Sequence, residues 1–264
     1  MDKINIEKVI EIAQMAGEKI LTIYHEDPKQ VQMKADGSPF TIADEVADHF
    51  IRNELKKLNP QVPIVSEESP LATFAERKQW NRYFLVDALD GTKEFLKKNG
   101  EFTVNIAVIE NQKPIMGVVF VPVSQETFVG VQGKGSFEIS AIDGERKPLI
   151  YTQPQPAQEV VVVESRSHES KADLEDPLKQ FEVTKKIKVG SSLKFCALAQ
   201  AKAHFYIRTA PSMEWDLAAG DAVYRYATEN VKENYSPLKY NKPNLRERGF
   251  LIGGDYSTDL DLMD

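Results

Sequence analysis

Cysteine and histidine are scarce in this chain: 264 residues hold one Cys, Cys196, and four His. A single thiol excludes an internal disulfide and fits a reducing compartment. So few soft ligands also make a zinc site of ordinary composition hard to assemble, and point any metal toward oxygen donors. Long apolar runs are missing as well. Nothing approaches the ~20 consecutive apolar residues of a membrane span. The opening MDKINIEKVIEIAQ carries acids where an export signal would be bare hydrocarbon. A cytoplasmic chain is the expectation, and no basic amphipathic helix suggests even peripheral membrane attachment. Positive charge is in deficit too, with 33 Lys and Arg against 40 Asp and Glu, a net −7. That excludes a grip on a nucleic-acid polymer, which needs a basic face. An acidic protein that binds a small anion must invert its local field, most simply with Mg²⁺.

What is present is ordinary for a globular protein: 42% hydrophobic and 28% charged residues, in a length that buries a substantial core. Ile6, Val9, Ala13, Ala16, Ile20 and Ile23 recur at helical spacing over 4–24. After the polar KADGSPFTIAD, a second helix runs from about Thr41 to Asn59-Pro60. VPIV and YFLVD read as strands. Between 101 and 140, FTVNIAVIE, IMGVVFVP, ETFVGVQ and GSFEIS read as an antiparallel meander with NQKP and GKG turns. The Pro- and Gln-containing YTQPQPAQ then separates two lobes, 1–150 and 151–264. The second lobe offers a strand (EVVVVES), a weak helix over 170–180, a helix (SSLKFCALAQAKA), a strand (HFYIR) and a last long helix (WDLAAGDAVYRYA).

Four acidic segments bear on chemistry. Glu67 and Glu68 follow one predicted strand, Asp87 and Asp90 follow another, Asp216 opens the last long helix, and Asp44 lies in the second helix. Loops at strand C-termini are free of ladder bonding and are where functional groups collect. Two acids in D-x-x-D spacing before a Gly can point at one spot, joined by the Leu89 carbonyl, and hard cations accept carboxylate and carbonyl oxygen together. Each segment has a plainer reading. Asp87 and Asp90 are turn formers, Thr41-x-x-Asp44 is a helix cap, Asp216 suits the helix dipole, and Glu67-Glu68 is a solvated pair.

The segments taken together, SEES, DALDGT and EWDLAAG in that order, resemble the lithium-sensitive, magnesium-dependent phosphatases related to inositol monophosphatase, over nearly the whole chain. One departure is Ala88, where that family usually has Pro. The resemblance implies an α/β (α+β) chain with the layered αβαβα sugar-phosphatase fold of the inositol monophosphatase and fructose-1,6-bisphosphatase type. It implies two or three Mg²⁺ ions. Glu67, Asp87 and the Leu89 carbonyl would hold the first, and Asp87, Asp90 and Asp216 the second. Thr92, oriented by Asp44, would help deprotonate the attacking water, with Glu67 also in the catalytic set. The Gly91 and Thr92 amides would cradle the phosphate.

SRSHES (165–170), GSSLKFCALA (190–199) with FYIR (205–208), and PLKYNKPNLRERGFL further resemble the bisphosphate nucleotidase, CysQ-type, branch. This implies a nucleotide pocket of His168, Ser191, Lys194 and Arg208, with Asp216 at its edge, and adenosine 3′,5′-bisphosphate as the substrate, hydrolysed to AMP and phosphate. 3′-Phosphoadenylyl sulfate is a further candidate, and a second copy of the chain the only macromolecular partner considered. The plainer readings are a capping serine, a Lys194 that snorkels to solvent, an Arg208 paired with some other acid and an exposed His168. FYIR lacks the Pro that this branch often has before its Arg, and Asp221 has no assigned role. The alternatives are an inositol or sugar monophosphatase, and a non-catalytic nucleotide sensor. Cys196, in an apolar helix, reads as core.

Overall fold

The computed structural model describes residues 4–25, 31–33, 39–167, 178–229 and 233–260. Helix α1 (Ile6–Tyr24) opens where Asn5 accepts from the amides of Glu7 (3.1 Å) and Lys8 (3.3 Å), a side-chain cap for otherwise orphaned donors. Strands β1 (Val31–Met33) and β2 (Pro39–Thr41) pair antiparallel. Helix α2 (Ile42–Leu58) begins at the predicted Thr41, in a capping box closed by Asp44.

A seven-stranded sheet follows, in spatial order of the chain: β3 (Ile64–Ser66), β4 (Arg82–Asp90), β5 (Thr103–Glu110), β6 (Lys113–Val121), β7 (Glu126–Val131), β8 (Gly135–Ile139) and β9 (Arg146–Leu149). The predicted meander is β5 to β8, and it pairs edge-on with β4, itself parallel to β3. The short helices α3 (Phe74–Arg77) and α4 (Thr92–Leu96) interrupt this run. YFLVDALD lacks strand alternation because β4 is covered on both faces. Phe84 and Val86 pack with α1 and α2, whereas Leu85 points to the opposite core.

The second sheet has the order β11, β10, β12, β15, β16, with β10 (Glu159–Ser165), β11 (Glu182–Val189), β12 (Phe205–Arg208), β15 (Phe250–Ile252) and β16 (Thr258–Asp259). A small pair, β13 (Ser212–Met213) and β14 (Arg246–Glu247), lies beside it. Helices α5 (Leu193–Ala199) and α6 (Glu214–Arg225) fill the space between the sheets. Phe195, Leu217 and Val223 share one core with Leu85 and Val119 of the first sheet and Tyr206 and Phe250 of the second. Helix α6 lies so close to β6 that a Cβ at Gly117 would stand 2.3 Å from the Ala219 carbonyl oxygen. Among the described residues the layers are therefore helices, sheet, helices, sheet, four of the five in the expected αβαβα order. Leu178 and Phe181 pack on the outer face of the second sheet. Most of the helix expected over 170–180 falls outside the described residues.

Candidate active site

The end of one strand, the interior of another and the start of a helix deliver three carboxylates to one point, so β4 runs on past Asp87, which the sequence suggests as its end. Glu67 is the first residue beyond β3, and its amide still donates to the Val86 carbonyl (3.2 Å), which ties its position to β4. Asp87 lies within β4 and is buried. Asp216 is in the first turn of α6, where Ser212 Oγ (2.7 Å) and the Met213 amide (3.0 Å) both donate to its Oδ2. One oxygen from each of Glu67, Asp87 and Asp216 lies within 4.8 Å of the others. Burial and then the charges of Glu67, Asp90, Asp216 and Asp44 push the Asp87 carboxyl well above the usual range. Burial, Asp90 and Glu67 push Asp216 up to about 7. Three like charges gathered in a low dielectric repel, and a hard divalent cation with an all-oxygen donor set resolves the repulsion. The residues fit such an ion.

The expected neighbours are close but not equivalent. The pairing of β4 with β5 shifts between Asp87 and Asp90, and that irregularity re-aims the second acid. Asp90 Oδ2 accepts from Ser191 Oγ (2.8 Å), Ser192 Oγ (3.3 Å) and Asn105 Nδ2 (3.5 Å), and Asp90 is not one of the three acids whose oxygens converge. Leu89 is buried, with its amide donating to Asp87 Oδ1 (3.1 Å). Gly91 takes φ +89° as the chain enters α4, a conformation in which a side chain would be strained. Thr92 Oγ1 donates to Asp44 Oδ1 (3.4 Å), while Asp44 Oδ2 accepts from the Thr41 amide (2.8 Å) and hydroxyl (2.6 Å). The cap and the catalytic reading of Asp44 thus coexist on two different oxygens.

A cleft of about 210 Å³ is lined by Glu67, Asp90, Thr92, Ser191, Lys194, Arg208 and Asp216. Lys194 does not snorkel. It is 3% exposed, its ammonium donates to the Ser191 carbonyl and lies 5.6 Å from the Tyr206 ring centroid. Burial, then Arg208, push it down to about 8. Arg208 is held by the carbonyls of Ala210 (Nε, 3.0 Å) and Pro211 (Nη2, 3.2 Å). Ser191 reaches the cleft with φ +53°, and its hydroxyl is engaged with Asp90 and Thr103. His168 lies outside the described residues.

Ser192, Ser212, Thr103 and Asn105, which orient Asp90 and Asp216, carry no signal in the sequence: isolated hydroxyl and amide residues have no spacing that marks them. Asp221 turns out to be an anchor. It is fully buried and accepts from Arg225 Nε (2.9 Å) and the Tyr240 hydroxyl (2.9 Å), while Arg225 holds the Ser236 and Leu238 carbonyls. The network ties the 236–240 segment to α6. Among the described residues no helix is long and apolar enough to cross a membrane.

Comparison with known proteins agrees with this geometry. The sequence model of the inositol monophosphatase family matches residues 3–228. The 3′(2′),5′-bisphosphate nucleotidase CysQ of Escherichia coli K12 is 43% identical over 250 residues, 94% of this chain and 98% of that protein. The protein of the same name from Buchnera aphidicola is 39% identical, covering 97% and 94%. The crystal structure of CysQ from Bacteroides thetaiotaomicron superposes with a TM-score of 0.74 at 39% identity, over 94% of this chain and 96% of that one. The chain belongs to the inositol monophosphatase family.

Proposed function

We propose that this protein is a Mg²⁺-dependent 3′(2′),5′-bisphosphate nucleotidase, which hydrolyses the 3′-phosphate of adenosine 3′,5′-bisphosphate to give AMP and phosphate. One observation carries the reading: a single cleft is lined both by Glu67 and Asp216, two of the three converging carboxylates, and by the cations Lys194, buried, and Arg208, half-buried. A substrate that bears two phosphates suits both groups, and the relatives named for that activity cover nearly the whole chain.

Glu67, Asp87, the Leu89 carbonyl, Asp90 and Asp216 are the proposed donors for two Mg²⁺ ions, with room in the reading for a third. Bound there, Mg²⁺ supplies positive charge against the phosphate and leaving-group oxygens and acidifies water. The remaining work falls to the chain. The Thr92 hydroxyl donates a hydrogen bond to Asp44 and so turns a lone pair toward water; as the water attacks, its proton passes to Thr92 while the Thr92 proton passes to Asp44. The Gly91 and Thr92 amides face the scissile phosphate, and the left-handed turn that glycine takes without strain at position 91 permits their approach. Lys194, Arg208 and the 190–192 loop hold the other phosphate. Cytoplasmic residence is part of the proposal, in keeping with the lone buried thiol of Cys196.

Incubation of adenosine 3′,5′-bisphosphate with the protein and Mg²⁺ is expected to give AMP and phosphate in equal amounts. EDTA should stop release and excess Mg²⁺ restore it. Adenosine 3′-phosphate as the product, or turnover indifferent to EDTA, would contradict the proposal.

A further inference from the structure

Between the two loops assigned to phosphate stands a residue with no role in the reaction so far. Glu101 follows α4 and precedes β5, and its main chain touches both loops. A Cβ at Gly190 would lie 2.8 Å from the Glu101 carbonyl oxygen, and a Cβ at Gly91 3.2 Å from the same atom. Gly91 leads the loop that faces the scissile phosphate, and Gly190 leads the loop of Ser191. At Gly190 a side chain would force a shift, and at Gly91 the φ of +89° disfavours one beside an already tight contact.

The side chain fastens what the main chain spaces. Glu101 Oε2 accepts from the Gly190 amide (2.8 Å) and from Arg166 Nε (2.6 Å), while Oε1 accepts from Arg166 Nη2 (2.6 Å). The same Nη2 donates to the Lys188 carbonyl (2.6 Å), and the Arg166 amide to the Val189 carbonyl (3.2 Å). The carboxylate therefore joins the start of β5 in the first lobe to the ends of β10 and β11 in the second. Glu101 and Arg166 are 26% and 40% exposed, so the ion pair by itself contributes little to stability. Its geometry is bidentate, however, and it adds a charge-assisted bond to a loop amide, which favours orientation over stability. The guanidinium also neutralises a carboxylate that would otherwise repel a phosphate nearby.

We propose that Glu101 is a positioning residue: with Arg166 and Gly190 it sets the distance between the scissile-phosphate loop and the loop that holds the second phosphate, and thereby the affinity for substrates that carry two phosphates. The proposal rests on the nucleotidase reading above. It concerns ground-state capture of a ligand that spans both loops, so its signature is a change in KM with little change in kcat.

The test compares wild type with Glu101→Ala, Arg166→Ala, the double variant and Gly190→Ala, on adenosine 3′,5′-bisphosphate and on p-nitrophenyl phosphate, which has one phosphate and cannot span the loops. Each single variant is expected to raise the nucleotide KM by roughly tenfold with kcat within about threefold, and to move the KM for p-nitrophenyl phosphate far less. The double variant should be no worse than the poorer single, because the two residues act as one unit. Gly190→Ala approaches the same spacing from the other side and should show the same split. Nucleotide KM unchanged in Glu101→Ala, or equal losses on both esters, overturns the positioning role. A wild-type enzyme without preference for the nucleotide would overturn the nucleotidase reading and this proposal together, whereas a wild-type preference with unaltered variants overturns this proposal alone.

Discussion

Asp216→Asn is expected to lower kcat on every phosphate ester by roughly 10³-fold or more, and at the same time to raise the melting temperature of the metal-free protein at pH 8. The first effect follows from loss of one of the three converging carboxylates, since the charge stabilisation at stake is several kcal/mol. The second follows from the repulsion those carboxylates suffer without an ion. The substituted amide keeps an oxygen to accept from Ser212 and the Met213 amide, so the start of α6 stays capped. The sign is set by linkage. Asp216 has an ordinary value of 3.8 and is pushed up to about 7 in the folded chain by burial, Asp90 and Glu67. A raised carboxyl favours the folded state at low pH, and that advantage is lost as pH rises through about 7. The variant should therefore match wild type near pH 4 and exceed it above pH 7, by about 2–4 °C for each kcal/mol recovered. Thermal melts in EDTA across that range, with and without added Mg²⁺, check both halves. A variant that is less stable than wild type at pH 8 in EDTA would mean that the carboxylates do not repel as described.

Lys194→Met should raise the KM for adenosine 3′,5′-bisphosphate by about 10²-fold, roughly 2.7 kcal/mol, while kcat/KM on a small monophosphate ester changes little. Methionine is chosen because the site is buried and an alanine would add a cavity to the loss of charge. The wild-type pH profile carries the same information. Lys194 is pushed down to about 8 by burial and by Arg208, so the free enzyme holds its charge below that pH and loses it above. The kcat/KM for the nucleotide should fall as pH rises through about 8. The kcat should hold to higher pH, because the bound phosphate favours the charged form in the complex. Parallel pH profiles for the nucleotide and for p-nitrophenyl phosphate separate this from a general loss of activity. If the two profiles coincide, Lys194 does not read the second phosphate.

The sequence makes some of this site plain and hides the rest for definite reasons. Glu67, Asp87 and Asp216 are legible because each adjoins a strongly apolar stretch and stands out against its neighbours, although β4 continues beyond Asp87 to Asp90. Thr41 and Asp44 are legible as a cap, and the other oxygen of the same carboxylate accepts from the Thr92 hydroxyl. The partners of Asp90 are not legible, since Ser191 and Ser192 are about a hundred positions away and meet it only in the folded chain. The burial of Lys194 is hidden for a similar reason. On a short helix it reads as a solvated cation until Tyr206 and the second sheet cover it. Glu101 and Arg166 look like two ordinary surface charges, and only the approach of Gly91 and Gly190 to the same backbone gives them a meaning. For Asp221 the i,i+4 spacing to Arg225 is visible in the helix, but Tyr240, nineteen positions on, carries no mark of its bond to the same carboxylate. Fold class, by contrast, follows from local patterns that agree along the chain, such as the two-sided burial of β4 and the helical spacing of α1.

The most direct measurement is phosphate release in the presence of Mg²⁺, with adenosine 3′,5′-bisphosphate and inositol 1-phosphate compared by kcat/KM under identical conditions. The account predicts a preference of ~100-fold or more for the nucleotide, because only that substrate engages both the carboxylates and the cations Lys194 and Arg208. A preference for inositol 1-phosphate would leave the carboxylate triad standing and contradict the nucleotidase account.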